Sequence, residues 1–433
     1  MERLIIEELL QWKTSPRRKP LILNGARQVG KTWILKHFGE MHYDNVAYIN
    51  CDKESLAAKL FEDYDTKRII QAIEAITNTQ IVAGKTLIII DEIQEVPRGL
   101  HALKYFAENA PEQHIAVAGS LLGLLLHQGE SFPVGKVNML QMHPMTFLEF
   151  LKAMGEDKIY QQLLNREWSV TNTVHEKIVK HLRMYLYVGG MPEAVQAYCN
   201  NMPLREIRSI HNEILTAYIN DLSKHAPKEQ VVRITQVFRS IPAQIAKENK
   251  KFIFGVLKKG ARAKEFELAI QWLMDAGLVH KVCQVSKPEA PLTFYEESDA
   301  FKLFLLDCGL LGAMNMTDAT EAMLTDNIFE EYNGALTEQL VLQELKCLPN
   351  LPVYYYNKPN SQQEIDFVIE IKNRAIPVEA KAGENLQAKS LKQFIQENKS
   401  DKAIKTSLKQ YKGNEIIDNV PLYALYCYLQ EPH

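Results

Sequence analysis

The segment Gly25-Ala26-Arg27-Gln28-Val29-Gly30-Lys31-Thr32 constrains this chain more than any other. It fits the spacing GxxxxGK[ST] and lies between an apolar run, residues 21–23, and a stretch with helical periodicity. A glycine-rich turn between strand and helix lets backbone N–H groups wrap the β- and γ-phosphates of a nucleotide. The positive end of the following helix adds to the attraction. In this spacing Lys31 brings a point charge to those phosphates and Thr32 brings a hydroxyl to Mg²⁺. The nucleotide-binding residues are therefore expected to be Gly25, Ala26, Arg27, Gln28, Val29, Gly30, Lys31, Thr32 and Trp33, with ATP and Mg²⁺ as the cofactors.

A second element supports the first. Residues 87–92, Leu-Ile-Ile-Ile-Asp-Glu, read as an apolar strand ending in two carboxylates. Such a strand places Asp91 at the carboxyl edge of a sheet, where open α/β folds bind ligands. Asp91 is expected to hold Mg²⁺ through its water shell, and Glu92 to polarise the attacking water as general base. Hydrolysis needs that second carboxylate, whereas nucleotide binding alone does not. The bland alternative is a strand that ends in a solvated acidic turn. The next candidate strand, His114–Ala118, runs into Gly119-Ser120. Ser120 is a candidate for sensing the γ-phosphate or orienting the water, although Ser after Gly is also common turn chemistry.

A chain of 433 residues is too long for one hydrophobic core, so two or three domains are expected. Fifty Lys and Arg oppose fifty-three Asp and Glu, which excludes a polycation built to coat nucleic acid along its whole length. The six cysteines (51, 199, 283, 308, 347 and 427) form no CxxC pair. Zinc-ribbon and thioredoxin-type sites are thus unsupported, and scattered thiols suit a reducing compartment. The N-terminal residues MERLIIEELLQWK lack a basic region followed by an apolar stretch, which predicts no signal peptide. No apolar run approaches the ~20 residues that span a bilayer. The expectation is a cytoplasmic protein with no membrane association.

Apolar runs at residues 21–23, 46–49, 86–90 and 114–118 alternate with helical stretches. This pattern predicts a parallel sheet covered on both faces. Residues 170–222 and 228–249 read as helical, with a break at Gly189-Gly190 and Pro192. Next come a strand over 251–257, a helix over 263–276, a strand over 278–285 and a wing strand over 292–295, the outline of a winged helix. The last hundred residues predict a helix over 334–348 and strands over 353–357, 364–371 and 375–380. A helix over 388–397 and a terminal strand over 422–429 follow. The expected fold class is α/β. A P-loop parallel-sheet ATPase domain (1–165) is followed by a helical connector with a winged helix (166–300). A restriction-endonuclease-like α/β domain (301–433) ends the chain.

The blocks LILNGARQVGKTW, LIIIDEIQ, AVAGSLLG, SFPVGKVNMLQMHPMTFLEFL, YLYVGGMPEAVQAY and AYINDLSKHA occur in this order along the first half. FKLFLLDCGLL, GALTEQLVLQEL and EIDFVIE…IPVEAKAG continue them. Over nearly the whole chain this resembles the AAA-type P-loop ATPases of bacteria and archaea that carry a C-terminal domain of unknown function. The resemblance implies an ATPase rather than a small-molecule kinase. It also implies a homo-oligomer, because AAA-type hydrolysis usually borrows a cation from a neighbouring subunit. Where many members have Gly-Arg, this chain has Gly135-Lys136, and Lys lacks the bidentate fork of Arg. Lys136 and Arg98 are candidates for that cation; the alternative for each is a solvated surface charge.

Near the C-terminus, Asp366 lies on one predicted strand and Glu379 and Lys381 on the next. Residues two apart on a strand share a face, so Glu379 and Lys381 point together and a hairpin brings Asp366 opposite. Two carboxylates suit Mg²⁺, Lys381 suits activation of water, and Glu338 on the preceding helix adds a third acid. This D…ExK layout resembles the PD-(D/E)XK nuclease fold, with Ile365 where a Pro is usual. That resemblance implies Asp366 and Glu379 as metal ligands and Lys381 as catalytic. The alternatives are a solvated sheet face or a nuclease fold that has lost its activity. Between residues 372 and 412, ten basic residues face four acidic ones, an excess of six. This is either an attractor for a phosphate backbone or a solvated lysine-rich face. The leading expectation is Mg²⁺-dependent ATP hydrolysis coupled to DNA or partner binding. The competitors are a slow nucleotide switch with a protein-docking scaffold, and an ATP-regulated endonuclease.

Overall fold

The apolar runs at 21–23, 86–90 and 114–118 become strands buried on both faces, whereas the run at 46–49 alternates buried and half-buried positions. The structure, a computed structural model, describes residues 1–53, 57–119, 133, 135–246, 251–316, 333–358, 363–382 and 389–430. Two compact units form: Met1–His143 with Asp275–Gly277, and Pro144–Met274 with Leu278–His433. In the first unit, β1 (Leu21–Asn24), β2 (Asn45–Asn50), β3 (Thr86–Asp91), β4 (His114–Ala118) and β5 (Asn138–Gln141) make one sheet. Their order is β2-β3-β4-β1-β5, and every neighbouring pair is parallel. All residues of β3 and β4 are buried, as a parallel sheet with helices on both faces requires. Around it run α1 (Ile5–Thr14), α2 (Lys31–His42), α3 (Ala57–Leu60), α4 (Thr66–Thr77) and α5 (Pro97–Asn109).

Local chemistry sets several of these boundaries. Asp65 caps α4 by accepting from the Lys67 N–H at 3.0 Å, and Asn78 closes it in the left-handed region. Ile69 and Ile73 from α4 join Ile88, Ile90, Phe61 and Phe106 in the core on one face of the sheet. The edge strand β5 alternates half-buried and exposed positions, and it was not evident in the sequence. Its side chains give too weak a hydrophobic signal over four residues. Because all five strands are parallel, their carboxyl ends share one edge. The chain segments that follow β1 and β3 both emerge there.

The second unit opens with helices Phe147–Ala153, Asp157–Leu164, Trp168–Thr173, His175–Val188, Pro192–Cys199, Leu204–His225 and Lys228–Ile245. The break at Gly189-Gly190 has a clear cause. Gly189 has φ +71°, and a Cβ there would lie 2.3 Å from Asp307 Oδ1, while the Gly190 N–H donates to Asp307 Oδ2 at 2.6 Å. A seven-stranded mixed sheet follows, built from β6 (Val279–Val285), β7 (Glu296–Leu305), β8 (Val353–Asn357), β9 (Glu364–Ile371), β10 (Arg374–Ala380), β11 (Ala403–Ser407) and β12 (Ile417–Pro421). Its order is β12-β11-β10-β9-β8-β6-β7. Position 300, between the second and third expected domains, falls inside β7.

Three expected strands are not strands. Residues 251–257 hold a 3₁₀ turn, Phe254–Val256. The Gln244 amide bonds both the N–H and the carbonyl of Ile253, at 3.1 and 3.0 Å, and so takes the groups a neighbouring strand would have paired. Residues 292–295 are likewise a 3₁₀ turn, with the Leu292 N–H given to Glu370 Oε2 at 2.8 Å. The run 422–429 forms a 3₁₀ turn and the helix Leu425–Leu429. Short apolar runs do not distinguish helix from strand by period, and β12 already supplies the last strand of that sheet.

Among the polar groups buried in this unit, Glu344 has a testable consequence. Its Oε1 accepts from the Phe147 N–H at 2.9 Å. Burial pushes its proton affinity from 4.5 up to about 8; that N–H works the other way, and the charge of Glu149 adds to the rise. A carboxyl raised on folding stabilises fully below its unfolded value and loses that contribution as pH rises through its folded value. Thermal melts are therefore expected to show stability falling between about pH 5 and about pH 8. Glu344→Gln, which keeps the carbonyl acceptor, is expected to flatten that slope.

Candidate functional site

The loop after β1 has the backbone that its glycines predict. Gly25 has φ +153°, and a Cβ there would lie 2.3 Å from the Met142 carbonyl oxygen. Gly30 has φ +99° and caps α2, so the N-terminal turn of that helix begins at Lys31. Gln28 also lies in the left-handed region, at φ +66°. Lys31 is buried, and its Nζ donates to the carbonyls of Gly25 at 2.9 Å and Ala26 at 2.7 Å. Burial lowers its proton affinity to about 8, against the raising effect of Glu92 and Asp91. Val29 is buried beneath the loop, whereas Arg27 and Gln28 are exposed. Trp33 is half-exposed and stacks on His37 with ring centres 4.8 Å apart.

The two sequence motifs meet across the sheet edge. Thr32 Oγ1 donates to Asp91 Oδ2 at 2.8 Å, although β4 separates β1 from β3. Asp91 is buried at the end of β3, and its other oxygen accepts the Glu92 N–H at 3.1 Å. Glu92 sits at φ +52°, and its Oε2 accepts from Gln94 Nε2 at 2.5 Å. Backbone strain of this kind clusters at working sites. A hydroxyl and a carboxylate in contact, beside a buried ammonium, fit the oxygen ligands and counter-charge that Mg²⁺ with a nucleotide phosphate requires. Ser120 lies outside the described residues.

Sequence reasoning missed five contributors here. Tyr48 OH donates to Asp91 Oδ2 at 3.0 Å, and Asn50 Nδ2 donates to Tyr48 OH at 3.3 Å. Lys36 Nζ sits 3.4 Å from the centre of the Tyr48 ring. Polar residues two apart at the end of β2, Tyr48 and Asn50, were the available signal. Gln94 fixes Glu92, as described above. Arg3 is buried and ties the N-terminal segment to the loop, donating to the carbonyls of Val29 at 2.9 Å and His143 at 2.7 Å. The two candidate cations for transfer chemistry are engaged within the chain. Arg98 donates to the Glu62 carbonyl at 2.5 Å, and Lys136 pairs with Glu108 at 2.9 Å.

The C-terminal residues also converge. The β9–β10 hairpin pairs Val378 with Phe367, so the next step along brings Glu379 level with Asp366. Asp366 Oδ2 accepts the Ala380 N–H at 2.9 Å, and Lys381 Nζ lies 2.5 Å from Glu379 Oε1. Burial pushes the Glu379 carboxyl up, Lys381 pulls it down, and Glu338 and Glu364 push it further up. Lys302, from β7, was not anticipated. It is 1% exposed, lies 2.7 Å from Glu364 Oε1 and 3.7 Å from Glu338 Oε2, and sits over the Tyr355 ring at 4.8 Å. Burial alone would lower its proton affinity, but Glu338, Glu364 and Asp366 outweigh that and raise it. Among the described residues, no set of three or more His, Cys, Asp or Glu side chains is placed to hold a metal ion. His211 is buried against the Val188 carbonyl at 2.8 Å and His181 pairs with Glu156 at 3.1 Å, which are structural roles.

An all-parallel sheet of this order, with a phosphate loop after one strand and paired carboxylates after another, defines a P-loop nucleotide-binding domain. Residues 17–151 match the family model described as AAA domain, in agreement with a P-loop nucleotide-binding domain over this part of the chain. Two further models, each described as a domain of unknown function, match residues 179–321 and 333–425. No curated protein matches the chain. Among solved structures, a Walker-type ATPase of Pyrococcus abyssi is 15% identical, with 72% of this chain and 95% of that one covered and a TM-score of 0.45. The ORC1 protein of Aeropyrum pernix, solved in complex with DNA, is 12% identical, with 74% and 92% covered and a TM-score of 0.27. The RuvB Holliday junction branch migration motor of Thermotoga maritima is 12% identical, with 65% and 89% covered and a TM-score of 0.31. Among the described residues, no helix is long and apolar enough to cross a membrane.

Proposed function

We propose that this chain is a Mg²⁺-dependent AAA-type ATPase that couples its nucleotide state to binding of DNA or a protein partner through its C-terminal half. The observation that carries the reading is the 2.8 Å contact of Thr32 with Asp91, with Glu92 next in the chain. It joins a hydroxyl, a carboxylate and a second carboxylate at the edge of a fully buried strand, beside a phosphate loop. Lys31 and the loop N–H groups bind the β- and γ-phosphates. Thr32 and Asp91 hold Mg²⁺, which when bound neutralises charge on the transferring phosphoryl group. Tyr48 keeps Asp91 in position. Glu92 takes a proton from the attacking water, and Gln94 fixes the orientation of its carboxylate.

The deciding experiment is an ATPase assay of the purified chain with and without single- and double-stranded DNA. Mg²⁺-dependent turnover that DNA stimulates is the expected result. A tightly co-purifying nucleotide with negligible turnover would favour the slow switch.

The anion-binding half of the reading rests on a lysine cluster. Burial lowers the proton affinity of Lys405, and the nearby charges of Lys409 and Lys392 lower it further. By contrast, Arg374 pairs with Asp401 at 2.7 Å and Lys402 with Asp418 at 2.6 Å, so part of the basic excess is answered internally. Each phosphate contact contributes a slope of about −0.9 to log K against log salt. The triple substitution of Lys392, Lys405 and Lys409 to alanine is expected to weaken DNA binding and to make that slope shallower by about 2–3. Fluorescence anisotropy across a salt series reads both. An unchanged slope would remove these lysines from the interface.

A further inference from the structure

The D…ExK layout implies a divalent ion between Asp366 and Glu379, and the side chains around it do not fit one. A Mg²⁺ site needs oxygen ligands at about 2.0–2.1 Å in near-octahedral array. Here Glu379 Oε1 is already within 2.5 Å of an ammonium, that of Lys381, and Asp366 Oδ2 accepts a backbone N–H from Ala380 at 2.9 Å. The remaining acids, Glu364 and Glu338, turn to Lys302 at 2.7 and 3.7 Å. Lys302 is the most deeply buried of these charges, at 1% exposure, and its ammonium sits over the Tyr355 ring. One feature does suit a metal. Glu379 is 4% exposed, and its Oε2 has no hydrogen-bond partner among the described residues. A single carboxylate oxygen holds a well-hydrated Mg²⁺ poorly, however.

We propose that Lys302 is the resident cation of this carboxylate cluster, neutralising Glu364 and Glu338 while Lys381 neutralises Glu379, so that the hairpin binds no divalent ion and cuts no phosphodiester bond. Buried ions persist only when paired, and removing one partner leaves the other charge uncompensated. Glu338, Glu364 and Asp366 without Lys302 are then three acids that need a cation from solution. The sequence hides this because Lys302 lies on a strand far before the hairpin, in a stretch that otherwise reads as apolar.

The test is a Mn²⁺ titration of the full chain, free of nucleotide, followed by the electron paramagnetic resonance signal of free Mn²⁺. Leaving out nucleotide keeps the phosphate-dependent metal of the ATPase site out of the count. The wild-type chain is expected to bind no Mn²⁺ with a Kd below about 1 mM. Lys302→Met is expected to bind one Mn²⁺ at least about tenfold more tightly, and adding Asp366→Asn to it is expected to abolish that gain. If Lys302→Met melts too early to titrate, recovery of its melting transition by millimolar Mn²⁺ is the equivalent gain. A wild-type Mn²⁺ site that Asp366→Asn or Glu379→Gln removes would overturn the proposal, as would Mn²⁺-dependent plasmid nicking lost in the same variants. So would a folded Lys302→Met chain that gains no Mn²⁺.

Discussion

Replacing Lys31 with alanine is expected to weaken ATP binding by about 100-fold or more. The ammonium would face the β- and γ-phosphates, and hydrogen bonds to charged groups contribute about 1.5–3 kcal/mol each. Losing two of them corresponds to roughly 3 kcal/mol or more of binding free energy. Calorimetric titration with a non-hydrolysable ATP analogue reads the change, and circular dichroism checks that the fold survives. The position carries a second signature. Because burial lowers the proton affinity of Lys31 to about 8, wild-type affinity is expected to fall as pH climbs above that value. The alanine variant, with no ammonium to lose, is expected to lack this dependence. Affinity within a few-fold of wild type would show that the loop binds phosphate through its backbone alone.

Glu92→Gln is expected to do the opposite, keeping ATP affinity within a few-fold while turnover drops roughly 10²- to 10⁴-fold. The amide has the same shape and tolerates the same positive φ about as well, but it cannot accept a proton from water. Single-turnover measurements at saturating ATP separate this from a binding defect. Near-normal hydrolysis by this variant would remove Glu92 from the chemistry and leave Asp91 and the loop as a binding device.

The phosphate loop was legible because each of its parts is a backbone requirement written in residue type. Gly25 has no room for a Cβ and Gly30 begins a helix from a left-handed position, so both must be glycine. The strand before Asp91 has no polar residue from Leu87 to Ile90, which only a sheet buried on both faces explains. Tyr48, Asn50, Gln94 and Arg3 were not legible. Tyr48, Gln94 and Arg3 each touch a motif residue and Asn50 reaches one through Tyr48, contacts that, apart from the two-residue spacing of Tyr48 and Asn50, nothing in local spacing marks.

The C-terminal half divides the same way. The hairpin β9–β10 was readable from its alternation and from Lys372-Asn373, which take φ +49° and +61° as a tight turn demands. The strands β11 and β12 escaped, because five-residue segments such as Ala403–Ser407 carry too few positions to show a period. The expected first strand of a winged helix, over 251–257, is absent for another reason. A glutamine nine residues earlier, Gln244, bonds the backbone of Ile253, which propensity does not foresee.

The hydrogen-bonded continuity of β6 and β7 with the strands that follow bears on how this protein can be divided for study. A fragment starting at residue 301 would keep half of β7, lose its antiparallel partner β6 entirely, and bare the side of β8 where Gln284 meets Tyr355. An unpaired strand edge is a template for association with other chains. Poor solubility of such a fragment would report the place of the cut rather than the stability of the hairpin. Excision boundaries placed ahead of β6 keep the sheet whole, and binding measurements on that longer piece would then describe the protein itself.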